Sequence, residues 1–183
     1  AASGSVAIGK SALGAITEGE RNIAIGYNAG VGLVDSDDCT FVGYQAGEDV
    51  DSSGSAPMGC TYIGSYSGKY LDDGTHNTAL GFNAMVGSTG GASCNLNVGI
   101  GKDALKAITT GDNNTIIGAL AGDSITTSSN NTALGYNALT GCGSSYSNVA
   151  VGADAGDTIT NSGAFNICIG TGSDVSTGAA ENQ

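Results

Sequence analysis

The residues of this chain with chemistry to offer are one histidine, five cysteines and a set of clustered acids. His76 stands alone in "GTHNT". A nucleophilic triad also needs an oriented nucleophile and an oriented acid near such an imidazole, so a turn histidine is the simpler reading. Cysteines 39, 60, 94, 142 and 168 form no CxxC pair and have only His76 as an imidazole partner, which is not a zinc spacing. The acids are densest at Asp35, Asp37 and Asp38, then Glu48, Asp49 and Asp51, then Asp72 and Asp73. Carboxylates gathered this way suit calcium, but no calcium-loop spacing is present and a solvated acidic edge explains them. Paired carboxylates for glycoside hydrolysis need a defined separation, which sequence spacing does not give. No catalytic residue, metal or cofactor is expected, and the chain reads as a non-enzyme; a glycan-degrading tailspike-like enzyme is kept as an alternative.

Composition narrows the partners. The 183 residues include 32 Gly, one Pro and no Trp, and only 12% are charged, so the chain is not expected to form many large aromatic or aliphatic clusters or a thick globular core. Gly, Ser, Thr and Asn between the apolar residues disfavour helix. A formal net charge of -12 argues against nucleic acid and anionic membrane surfaces as partners. No apolar run approaches the length of a membrane span, so no membrane insertion is expected. A beginning of "AASGSVAIG" and an end of "AAENQ" suggest a processed or excised piece of something longer.

What must position these residues is a repeat. Taking the glycine after each apolar triplet as an anchor gives Gly9, Gly26, Gly43, Gly64, Gly81, Gly101, Gly118, Gly135, Gly152 and Gly170, separated by 17 to 21 residues. That period is shorter than helical or helix-plus-strand repeats and suits one turn of a β-solenoid. The expectation is an all-β, parallel β-solenoid of about ten coils filling residues 1–183 as a single repeat domain, a rod about 45–50 Å long. The place before the anchor is always Ile, Leu or Val, and two places earlier stand mostly β-branched residues (Val6, Ile23, Thr40 and their equivalents). Both columns are expected to face inward as the core, joined by the aliphatic column seven places after the anchor (Ile16, Leu33, Val50, Leu71, Ile108, Ile125, Ile159). Small residues such as Ala29, Ala46 and Ala84, three places after it, would line the space between. The intervening strand column, Ala7, Ala24, Phe41, Tyr62, Ala79, Gly99, Ile116, Ala133, Ala150 and Cys168, is then expected to face outward. It carries neither charge nor amide, which points to cover by another copy of the chain.

Four places before the anchor, Asn22, Asn77, Asn97, Asn114, Asn131, Asn148 and Asn166 recur, a stacked amide ladder along the rod axis. Glycosylation fits less well, since only Asn113 and Asn130 open true acceptor triplets. Cys39 and Cys60 take the ladder place in successive coils, where the strand spacing falls within disulfide range; a link closing that loop would stabilise by about 3 kcal/mol. Cys142 fills a core aliphatic place and Cys168 an outward one. Thr17, Thr109, Thr126 and Thr160, eight places after their anchors, suggest an ice-binding β-solenoid as an alternative, although Val34, Asp51, Asp72 and Gly143 break the column.

The phrases "IAIGYNAG" (23–30), "TALGFNAM" (78–85), "IGKDALKAITTGDNNTIIG" (100–118), "SITTSSNNTALGYNAL" (124–139) and "VAVGADAG" (149–156) resemble the repeats of bacteriophage tail-fibre shafts and heads. They are also similar to the shorter head repeats of bacterial trimeric autotransporter adhesins. The resemblance implies a left-handed, homotrimeric β-roll or β-helix within a virion tail fibre or other extracellular fibre that contacts a host-surface glycan or protein; in the phage group a self-cleaving chaperone domain often follows. Cys39 and Cys60 depart from the repeat, as do the enlarged steps at 53–59 and 88–97. Aromatic residues concentrate in this region, so Tyr44, Tyr62, Tyr66 and Tyr70 are the candidate ligand-binding residues, near Phe41 and the acidic cluster. Tyr27, Tyr44, Phe82 and Tyr136 share the place just after the anchor.

Overall fold

The computed structural model describes residues 3–50, 59–160 and 164–175. Ten three-residue strands, β1 (Val6–Ile8), β2 (Ile23–Ile25), β3 (Thr40–Val42), β4 (Thr61–Ile63), β5 (Thr78–Leu80), β6 (Val98–Ile100), β7 (Thr115–Ile117), β8 (Thr132–Leu134), β9 (Val149–Val151) and β10 (Ile167–Ile169), each end at an anchor glycine. They pair in chain order as one parallel sheet. Equivalent residues sit opposite each other throughout, as in Ile25↔Val42 and Leu134↔Val151, so each strand is one coil of a parallel β-solenoid.

The anchor explains why each strand stops. Gly101 has φ +133°, and a Cβ there would sit 2.5 Å from the carbonyl oxygen of Gly118 in the next coil. Only glycine accepts both the backbone angle and that approach. Two further left-handed residues follow in most coils. In the coil of Gly81 they are Asn83 (φ 55°) and Met85 (φ 50°). These turns aim their N–H groups along the rod: Asn83 donates to Ser65 O (3.0 Å) and Met85 to Ala104 O (2.9 Å). Backbone groups outside the strands are thereby satisfied coil to coil.

The Asn ladder is buried and continuous from Asn77 to Asn166. Asn114 Nδ2 donates to Asn97 Oδ1 (2.9 Å), and Asn131 Nδ2 to Asn114 Oδ1 (3.1 Å). The same Nδ2 also reaches a turn carbonyl, as Asn114 does to Ser128 O at 2.8 Å.

The expected facing of the strand columns is inverted. Side chains two apart share a face, so an inward ladder Asn makes the middle strand residue inward as well. Ala24, Phe41, Tyr62, Ala79, Ile116, Ala133, Ala150 and Cys168 are buried, and of this column only Ala7, in the first coil, is exposed. The branched aliphatics on either side of them point out. The alanine column and the column seven places after the anchor are core, with Leu33, Val50, Leu71, Ile108, Ile125, Cys142 and Ile159 buried; Ser88 is exposed, and Ala92 is buried in that coil.

Inside, two columns trade volume. Where the middle strand residue is large, the residue four after the anchor is glycine, in the pairs Phe41/Gly47, Tyr62/Gly68 and Ile116/Gly122. Where it is Ala or Gly, the other is often large, in Ala7/Leu13, Ala79/Met85, Gly99/Leu105 and Ala133/Leu139. A Cβ on Gly47 would lie 2.8 Å from the Phe41 ring, and one on Gly99 would lie 2.6 Å from Met85 Cγ. The narrow interior stays filled at native density because each coil holds about one large side chain here.

Candidate functional site

The feature with most to offer a partner is the outer face of the sheet. Its two columns, Val6 to Ile167 and Ile8 to Ile169, hold twenty residues, and all are Val, Ile, Leu or Thr. None of the twenty is buried; Ile8, Leu80, Leu134 and Ile169 are 58%, 43%, 49% and 69% exposed. A strip ten coils long and two side chains wide presents on the order of 500 Å², at the upper end of what a monomer leaves uncovered. Thr40, Thr61, Thr78, Thr115 and Thr132 add hydroxyls to it but no charge.

Just past the anchors runs an aromatic stack. Tyr27 and Tyr44 are stacked at 5.3 Å, and Tyr44–Tyr66 and Tyr66–Phe82 meet edge to face at 5.3 and 6.1 Å. Lys10 lies over Tyr27 at 5.7 Å, and Lys69 over both Tyr66 and Tyr70 at 5.2 and 4.9 Å. The rings spend their faces on one another and on lysines, so a ligand would meet ring edges and hydroxyls. Of the four expected ligand-binding tyrosines, Tyr44, Tyr66 and Tyr70 are accessible and close together. Tyr62 is not: it is fully buried, stacked on Phe41 at 5.3 Å. A second aromatic pair, Tyr146 and Phe165 (5.5 Å, edge to face, each 50% exposed), lies in columns that are otherwise mostly polar, and no repeat signal marked it.

The charged groups are largely turned toward each other. Lys69 Nζ is 3.1 Å from Glu48 Oε2, and Glu48 also accepts from Asn28 Nδ2 (3.0 Å) and Gln45 Nε2. Partial burial pushes the Glu48 carboxyl up, but the hydrogen bonds from Asn28, Lys69 and Gln45 outweigh it and hold the group below its ordinary value. Asp103 is held low in the same manner by Lys102, Asn83 and Lys106. Arg21 gathers Glu20, Asp37 and Asp38 at 2.9, 3.3 and 2.6 Å. All five basic side chains therefore sit against an acid or a ring of their own chain.

The acidic cluster does not converge: among the described residues no group of three or more His, Cys, Asp or Glu is placed to hold a metal ion, and Asp51 lies outside them. His76 is exposed at a left-handed turn position (φ 55°). Among the described residues no helix is long and apolar enough to cross a membrane. Of the four threonines expected eight places after the anchor, Thr17, Thr109 and Thr126 donate their hydroxyls to the next coil's carbonyls at 3.2, 3.0 and 3.0 Å. Cys39 and Cys60 occupy the ladder place in adjacent coils as fully buried thiols. Cys168, expected outside, is buried.

The chain is thus a β-solenoid scaffold that presents a structural and binding surface. Comparison with protein-family models, with curated proteins and with solved structures finds no match to it.

Proposed function

We propose that this chain is a segment of a phage tail fibre or bacterial adhesin, structural rather than catalytic, that helps attach the fibre to a host surface. The observation that carries the reading is the uncharged outer sheet face, which water disfavours along its whole length and a second copy would cover. The resemblance to tail-fibre and adhesin repeats adds three as the number of copies, a left-handed winding and a location on the virion or outside the cell. In this arrangement the copies lie side by side with their sheets toward a common axis, and the acidic turns face outward and keep the rod soluble. Sedimentation equilibrium is expected to return about three times 17.7 kDa; a monomer at micromolar concentration overturns the assembly.

Receptor contact falls to Tyr44, Tyr66 and Tyr70, with a host glycan or protein as partner. Replacing Tyr66 and Tyr70 by Ala is expected to abolish attachment to host cells while leaving the oligomer intact. Undiminished attachment moves the contact elsewhere on the fibre.

A second reading draws on the five outward threonines of the strands. Thr hydroxyls and aliphatic methyls repeating on one sheet also suit an ice-binding face, which would have to remain uncovered. Ice shaping by a monomeric chain would favour that reading over the fibre.

A further inference from the structure

We propose that Cys39 and Cys60 are joined by a disulfide that bridges the two coils in which the amide ladder is interrupted. Four facts place the pair. Thr40↔Thr61 are register partners, and Thr40 N donates to Cys60 O at 2.8 Å, so the residues immediately before them, Cys39 and Cys60, stand one above the other. Their side chains point the same way, since both are fully buried in the column that is Asn in seven of the ten coils. That column brings side-chain ends of successive coils into contact: the amide links between Asn77, Asn97 and Asn114 span 3.2 and 2.9 Å. Adjacent strands are about 4.8 Å apart, inside the Cα range of a disulfide, and a small tilt of the side chains brings the Cβ atoms into range.

The surroundings explain why the link is useful there. Asn22 Oδ1 still accepts Cys39 N at 2.9 Å, but a thiol cannot pass an amide bond to the next coil as Asn does. Instead each thiol makes a weak bond to a turn carbonyl, Cys39 to Asp37 O at 3.4 Å and Cys60 to Gly74 O at 3.3 Å. Between the two cysteines the chain also takes its longest step, 21 residues from anchor to anchor. A covalent bond restores the missing connection where the step between anchors is longest.

The chemistry is a two-electron oxidation. Two thiols exchange with one oxidised glutathione, giving the protein disulfide and two molecules of reduced glutathione, with both thiol protons passing to the leaving thiolates. Burial pushes the Cys39 thiol up to about 12, so exchange belongs to folding, before the coils close.

The test uses the full chain, unfolded in urea, refolded with oxidised glutathione, then alkylated under denaturing conditions. Cutting after Arg21, Glu48, Lys69 and Lys102 separates Cys39 (22–48), Cys60 (49–69) and Cys94 (70–102). The expected product is 22–48 joined to 49–69, two hydrogens lighter than their sum and split by reductant, with the other cysteines alkylated. Alkylated Cys39 and Cys60, or a link from Cys60 to 70–102, overturns the proposal. The variant Cys94→Ser is expected to keep the link. In the double variant Cys39→Asn, Cys60→Asn the amide ladder closes, so reductant should lower the urea midpoint of the natural chain and leave this variant unmoved. An equal response of both chains to reductant also counts against the link.

Discussion

Truncating one ladder residue is expected to cost much more in the middle of the rod than at its last coil. Asn114 makes four side-chain bonds: Nδ2 donates to Asn97 Oδ1 (2.9 Å) and Ser128 O (2.8 Å), and Oδ1 accepts from Asn131 N (3.0 Å) and Asn131 Nδ2 (3.1 Å). In Asn114→Ala some partners keep a bond, since Asn97 Oδ1 still receives Asn114 N (2.9 Å) and Asn131 Nδ2 still reaches Ser145 O (3.1 Å). Asn131 N and Ser128 O lose these bonds while buried. At about 1–3 kcal/mol for each stranded group, the substitution costs about 4 kcal/mol. Asn166 is the internal control. Its Nδ2 donates to Asn148 Oδ1 (2.9 Å), but its own Oδ1 has no partner among the described residues, so Asn166→Ala strands nothing further along and costs about 1 kcal/mol. Urea unfolding followed by circular dichroism measures both, and amide hydrogen exchange at Asn131 should accelerate in the first variant alone. Equal midpoint shifts would refute the claim that the ladder carries stability by relaying bonds from coil to coil.

Three further outcomes follow from the same geometry. Gly101→Ala combines a left-handed φ of +133° with a Cβ 2.5 Å from Gly118 O, and is expected to cost more than about 4 kcal/mol by thermal or urea unfolding; Gly90→Ala, with φ +108° and nothing within 4 Å, carries the conformational strain alone and should cost about 1–3 kcal/mol. Leu80→Asp with Leu134→Asp leaves every ladder bond in place but puts charge on the exposed sheet face that the proposed assembly would cover, so the proposed oligomer is expected to fall to monomer in sedimentation while the circular dichroism spectrum persists. Glu48 and Asp103 bind protons less readily folded than unfolded, so their stabilisation is present above the ordinary carboxylate range and is lost as pH falls through the lowered folded values; Glu48→Gln should flatten part of the fall in urea midpoint between about pH 5 and pH 3.

The repeat itself determined the coil number, the strand positions and the parallel register, because a residue type required once per turn has to recur at the turn length. Each anchor glycine is obligatory where a Cβ would strike the next coil, and each ladder Asn where an amide must bond along the axis. The ladder also held the facing of the strands: an Asn buried four places before the anchor makes the residue two places before it inward. Hydrophobicity pointed the other way, because branched aliphatics read as core whether their cover is their own chain or another. The exchange of volume between Phe41 and Gly47, or Gly99 and Leu105, was equally present in the sequence, but it becomes visible only once those columns are known to meet. What the tertiary structure alone decided is which groups are already occupied. Tyr62 went inside because Gly68 leaves room for its ring, and the hydroxyls of Thr17, Thr109 and Thr126 went to carbonyls one coil away. Tyr27 and Tyr44 turned their faces to each other, and Tyr66 met Tyr44 edge to face. The threonine bonds and the tyrosine stack depend on residues 17 or more apart coming within a few ångströms, a distance that stacking sets and that composition and spacing do not contain.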